Sequence, residues 1–234
     1  MVDLLIVIFI AIGAFVGFKQ GFTKSLINFI GLSLVIALSF LLKNPVSEML
    51  MNTMPFFPFG GLIKGLTVLN ILLYEMIAFF LIFSILMIVL KVLSMTTSVF
   101  EKILSFTIIL GIPSKILGSI VGALKNYIIV FFVLYFLSMP NFSEVSIVNS
   151  SNLKDPILKN TPVLSGSADS ALKLVDEFNL LSEKYKSKTT VDEFNLETLD
   201  LLLKYNITKT STVKKLISSG KIKIDGVERV LEKY

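Results

Sequence analysis

Two ionisable residues stand where ionisable residues are costly. Glu75 and Lys125 interrupt two long apolar runs, Leu66 to Leu90 and Ile116 to Met139, each nine residues from the start of its run. On a helix that is a rise of roughly 13–14 Å, in a hydrocarbon core about 30 Å thick. If the two runs cross a bilayer in opposite directions, both side chains reach similar depth. A charge at that depth pairs with another or faces water. The residues leave two arrangements open. Glu75 and Lys125 form an intramembrane ion pair or line a polar path, or the runs are shifted and each side chain snorkels to its own interface. Asn28 and Asn70, the other polar side chains singled out within the runs, suit hydrogen bonds between helices.

Small residues carry the second pattern. Gly13, Gly17 and Gly21 recur every four positions, as do Ser114, Gly118 and Gly122, continuing to Asn126. This spacing puts each set on one helical face and lets backbones approach closely, which matters where lipid gives helices no hydrophobic reason to associate. The two faces are expected to pack on each other or on a second subunit.

Other chemistry is poorly supported. There is no cysteine and no histidine, which excludes thiol and imidazole catalysis and the usual zinc sites. Asp176, Glu177, Asp192, Glu193, Glu197 and Asp200 are interspersed with lysines, the pattern of a solvated helix face and not of paired catalytic carboxylates. Phosphate-binding glycine loops and nucleophile elbows are absent. The chain is read as a non-enzyme that needs no cofactor and no metal.

The elements that must position these residues follow from composition. The 234 residues are 54% hydrophobic and 17% charged, with mean hydropathy +0.81; soluble domains carry about 25% charged residues. Residues 1–139 hold eight lysines and four carboxylates, and the remaining charge crowds into 140–234. The fold class is therefore all-α: a polytopic membrane protein with about four transmembrane helices and a small helical C-terminal tail. The domains are read as a transmembrane part (1–139), a linker (140–168) and a polar helical tail (169–234). The net charge of +5 lies mostly in the membrane part, so it points to loop lysines that orient the chain and not to nucleic acid.

The first span is read as Leu4 to Phe18, a retained helix and not a cleaved signal. The second runs from Ser25 to Leu42 and ends at Lys43-Asn44-Pro45, forming an antiparallel hairpin with the first. Between 43 and 65, Pro55, Pro58, Gly60 and Gly61 break any helix, while Phe56, Phe57, Phe59 and nearby methionines keep the segment apolar. Such a stretch lies at the membrane interface or dips into it, where protein or water must satisfy its backbone. An amphipathic interfacial helix is expected within 91–115, broken at Gly111-Ile112-Pro113. In the tail, helices are expected over Asp169 to Tyr185, Leu196 to Tyr205 with Asn195 as N-cap, Ser211 to Ser219 stopped by Gly220, and a last short one at 227–233. Lys19, Lys24, Lys91, Lys102 and Lys115 flank one side of the spans; Lys43 and Lys64 flank the other. The balance places the first and third connections in the cytoplasm and both termini outside.

Asp3 opening an apolar span that ends in Gly17-Phe18-Lys19-Gln20-Gly21-Phe22, and Leu117-Gly118-Ser119-Ile120-Val121-Gly122-Ala123-Leu124-Lys125 later, together with the four-span layout, resemble the bacterial colicin V production protein (CvpA) family over about residues 1–139. Gln20 replaces a usual basic residue, Ser114-Lys115 stands where Asp-Arg is common, and Asn126 stands where a glycine often follows. The resemblance implies a multi-pass protein of the bacterial cytoplasmic (inner) membrane, an accessory to toxin production or export or to envelope maintenance, with no established catalytic residues. Its partners would be the lipid bilayer and either a second copy or another membrane protein. The alternative is a small oligomeric transporter or channel using Glu75, Lys125 and the broken 54–61 segment as a pathway. A weaker third is a sensor whose tail binds a soluble partner.

Overall fold

The structure is a computed structural model and describes residues 1–59, 65–96, 112–140, 150–162, 164–186 and 191–234. Within these, every regular element is a helix: α1 (Val2–Gln20), α2 (Phe22–Thr53), α3 (Leu69–Thr96), α4 (Ile112–Leu137), α5 (Lys154–Asn160), α6 (Leu164–Tyr185), α7 (Val191–Lys204), α8 (Thr210–Ser218) and α9 (Val227–Leu231). The helices α1–α4 are long and apolar enough to cross a membrane. They are apolar on all sides, as lipid-facing helices are. On α1, for example, Leu4, Leu5, Val7, Ile8, Ile12 and Phe15 are all exposed.

The chain divides into two compact units: Met1–Leu42 with Phe79–Leu134 and Ser150–Lys154, and Lys43–Ala78 with Tyr135–Asn149 and Asp155–Tyr234. The first is built on close contact of α1 with α4 and on an aromatic cluster in which Phe40 and Phe79 rings lie 4.6 Å apart with Phe132 beside them. In the second unit, the amphipathic tail helices bury Leu174, Phe178, Leu199, Leu202 and Leu216. Phe194 stacks on Tyr185 at 5.1 Å and lies 5.9 Å from Phe178, pinning α7 to α6.

Several boundaries differ from those expected. The second span does not stop at Lys43-Asn44-Pro45: α2 continues through Pro45 to Thr53. Proline removes one helical N–H and crowds the carbonyl four residues earlier. Here both Pro45 and Leu41 are exposed, so the freed carbonyl faces outward at the end of the apolar run. Beyond it, burial of Leu50 and Met51 keeps the last turns helical. Pro113 does not break a helix either. It occupies the first turn of α4, where no intrahelical N–H is required. The interfacial helix expected between the third and fourth spans falls largely on 97–111, outside the described residues.

The division at 139/140 is not where the compact units part. The tail shares a unit with the end of α2 and the start of α3, because polar residues there bond to it, as detailed below. The region expected as a linker contains α5 and the first residues of α6. Pro156 is tolerated near the start of α5 for the same reason as Pro113. Asn195 is not an N-cap: α7 begins at Val191 and Asn195 lies inside it.

Candidate functional site

In the first unit, the two glycine faces meet each other. A methyl group built on Gly13 would stand 2.5 Å from the Gly122 carbonyl oxygen, one on Gly17 2.0 Å from that of Gly118, and one on Gly21 3.2 Å from Ser114 Oγ. Each step of four up α1 is met by a step of four down α4, so the pair is antiparallel and in register. The contact is backbone against backbone, possible only without side chains at these positions. Polar groups close both ends. Asn126 Nδ2 donates to the Phe9 carbonyl at 2.7 Å, and the Phe22 N–H donates to Ser114 Oγ at 3.1 Å. These glycine faces are thus engaged within one chain.

Gly21 also makes the turn. Its φ of 77° and ψ of 174° lie in a region open essentially to glycine alone. A single residue therefore separates α1 from α2. Ser25 Oγ donates to the Gly17 carbonyl at 3.3 Å and Asn28 Nδ2 to Gln20 Oε1 at 3.0 Å, tying the two arms. At this junction Gln20, Ser25, Asn28 and Lys125 line a cavity of about 10 Å³ together with Gly13, Gly17 and Gly122, room for about one water. Side chains on a helix lean toward its N-terminus, which carries Lys125 toward this polar spot. Among the described residues Lys125 makes no ion pair.

Glu75, in the second unit, has a partner that neither of the two arrangements left open by the sequence supplies. Its carboxylate takes the ammonium of Lys43, with side chains only 11% and 19% exposed. Pro45 is a local signal that the second span has ended, so the sequence presents Lys43 as a flanking lysine and not as a partner for Glu75. With α2 continuous past it, Lys43 faces the start of α3.

The broken segment 54–59 is held by α3. Asn70, fully buried, accepts the Phe57 N–H at 2.7 Å and donates to the carbonyls of Phe57 and Thr67 at 3.2 and 3.1 Å. Tyr74 donates its hydroxyl to the Pro55 carbonyl. A stretch that cannot satisfy its own backbone is thereby satisfied by side chains. Asn70→Leu is expected to leave both Phe57 backbone groups unpaired, at a cost of about 2 kcal/mol or more. Limited proteolysis should then cut within 54–59 far faster than in the parent protein; unchanged cleavage would contradict this role.

Asn195 does the same for the turn before α3. Its Oδ1 accepts from the Val68 N–H and the Thr67 hydroxyl, both at 3.3 Å, and its Nδ2 donates to the carbonyls of Gly65 and Val191 at 3.0 and 3.1 Å. Glu48, near the end of α2, accepts from Thr212 at 2.9 Å and pairs with Lys215 at 2.7 Å. Lys221 donates to the Met54 carbonyl at 2.9 Å.

Three of the six tail carboxylates singled out above are held by lysines. Glu177 takes Lys204 and the Tyr205 hydroxyl, Glu197 takes Lys184, and Asp200 takes Lys233. The bonds from Lys204 and Tyr205 hold the Glu177 carboxyl below its ordinary range. Burial, aided by bonds to Glu197 and Glu193, pushes the Tyr185 phenol up. Among the described residues no group of three or more acidic side chains is arranged to hold a metal.

Comparison with known proteins agrees with a membrane protein. The chain is 29% identical over 175 residues, 71% of its length, to the uncharacterized transmembrane protein YshB of Bacillus subtilis (strain 168), and covers 94% of that protein. No solved structure matches it. Residues 2–162 match the family described as colicin V production protein, a stretch that includes α1–α4 and the full length of α5. The chain is therefore a multi-span membrane protein of the colicin V production protein family.

Proposed function

We propose that this chain is a non-catalytic accessory of the bacterial cytoplasmic membrane, serving toxin production or export or envelope maintenance through helix packing and a docking tail. One observation carries the choice over a transporter. Lys125 apart, the polar groups singled out in and beside the described spans are committed to internal bonds: Asn126 to Phe9, Ser25 to Gly17, Asn28 to Gln20, Asn70 to Phe57 and Glu75 to Lys43. A conducting path needs several such groups turned toward water or a passing ion. Docking falls to the tail, whose long amphipathic α6 leaves Leu180 exposed amid charge. The lysines of the first and third connections favour an orientation with both termini outside, and a tail of this length crosses largely regardless of its own charge.

Purified protein in liposomes should raise neither proton nor potassium flux above that of protein-free vesicles. A photoreactive residue at Leu180 should give a discrete adduct with a membrane protein in native membranes. In intact cells, Leu180→Cys should react with an impermeant maleimide, the parent chain having no cysteine of its own. Flux above background would return the transporter to favour. Absence of any protein adduct would remove the docking role, and an unlabelled cysteine in folded protein would reverse the orientation.

A further inference from the structure

A basic stretch of the tail lies against the end of a spanning helix. The sixteen residues from Lys209 to Ile224 carry five lysines and no carboxylate. Two of these lysines hold the stretch in place: Lys215 on Glu48, and Lys221 on the Met54 carbonyl, with its ammonium 5.9 Å from the Phe56 ring centre. The other three, Lys209, Lys214 and Lys223, are exposed and in no ion pair among the described residues.

The location follows from the length of α2. At 32 residues, it measures about 48 Å, against a hydrocarbon core of about 30 Å. Counted from Lys24, the core is used up near Lys43. Glu48 and the lysine on it then stand at headgroup level. Beside them, in the same unit, Met49, Met54 and Phe57 remain 57%, 48% and 53% exposed. Exposed apolar side chains in the same unit as unpaired lysines, on a stretch tied to the end of α2 through Lys215 and Lys221, make an interfacial surface that favours anionic headgroups.

We infer that Lys209, Lys214 and Lys223, together with exposed Met49, Met54 and Phe57, form a binding surface for anionic phospholipid headgroups of the leaflet next to the tail. The occupant is lipid because the surface is continuous with the end of a membrane helix and combines positive charge with apolar side chains at that level. A soluble anionic partner would require the charge and leave the methionines and Phe57 unexplained. This inference needs only that α2 spans the membrane and is independent of the accessory role.

The test uses the whole chain in non-ionic detergent, titrated with phosphatidylglycerol or phosphatidylcholine and followed by native mass spectrometry. The parent protein should hold phosphatidylglycerol in preference to phosphatidylcholine. The triple variant Lys209→Gln, Lys214→Gln, Lys223→Gln should hold phosphatidylglycerol about a hundredfold less tightly, given the roughly fivefold attraction each surface lysine contributes. The corresponding triple arginine variant keeps the charge and should keep the lipid, which separates charge from folding. Equal retention by the parent and the glutamine variant would overturn the inference, as would loss of lipid from the arginine variant. So would a photoreactive residue at Lys214 that crosslinks in native membranes to protein and not to lipid.

Discussion

Replacing Gly17 by alanine is expected to unfold or dissociate the α1–α4 pair, with a loss of more than about 3 kcal/mol, at or beyond the upper end of ordinary overpacking. The sign is informative. Within a helix, glycine to alanine alone stabilises by roughly 0.5–1 kcal/mol. A loss must therefore come from the interface. The new methyl group would lie 2.0 Å from the Gly118 carbonyl oxygen and 2.8 Å from the carbonyl carbon. Backbone cannot swing aside as a side-chain tip can, so the helices must separate along their contact. Gly118→Ala meets the same obstacle from the other side, 2.4 Å from the Gly17 carbonyl oxygen. Gly31→Ala is the control. The atoms nearest its methyl group would be those of the Leu90 side chain, the methyl tips at 3.0 and 3.3 Å and Cγ at 3.7 Å, and the change should alter stability little. Heating detergent-solubilised protein and following the monodisperse peak by size exclusion measures all three. If Gly17→Ala melts with the parent protein, the close contact is not what holds α1 to α4.

The elements that lipid dictates were the most legible in the sequence. An uninterrupted apolar run has few other solutions, and α1, α3 and α4 lie within a few residues of where their runs placed them. The small-residue spacing named the faces that meet because only glycine permits that approach. What escaped was set by partners distant in sequence. Asn195 has the local context of a helix cap, and its actual bonds include the Gly65 carbonyl, 130 residues away. Nothing near it in the chain announces that partner. The Lys43–Glu75 pair was hidden by Pro45, a local signal for a helix end that burial of Leu50 and Met51 overrides. Composition separates a polar helical tail from the spans but does not register the residues that bond the two segments. Glu48 with Thr212 and Lys215, and Asn195 with the turn before α3, are pairings of individual residues that composition does not record.

The Lys43–Glu75 pair also has the second large expected effect. Glu75→Gln removes the counter-charge of a lysine that is itself only 19% exposed. Breaking such a pair from one side typically costs 3–5 kcal/mol, because the remaining charge stays buried and uncompensated, whereas replacing both partners by apolar residues is often close to neutral. A double-mutant cycle built on Lys43→Met and Glu75→Leu should therefore show each single change strongly destabilising and the double change largely restored. The apparent coupling should be about 2 kcal/mol or more. Lys125→Met, tested alongside, breaks no ion pair among the described residues and should shift melting far less than Lys43→Met. Additive losses from Lys43→Met and Glu75→Leu would show that the two residues act separately. If combining Lys125→Met with Glu75→Leu restored stability and the Lys43 combination did not, the partner of Glu75 would be the one on the fourth span. The choice matters for function. A carboxylate neutralised by a lysine on the neighbouring helix fastens α2 to α3, while one left to face a lysine deep in another helix would be free to exchange its partner for an ion in transit.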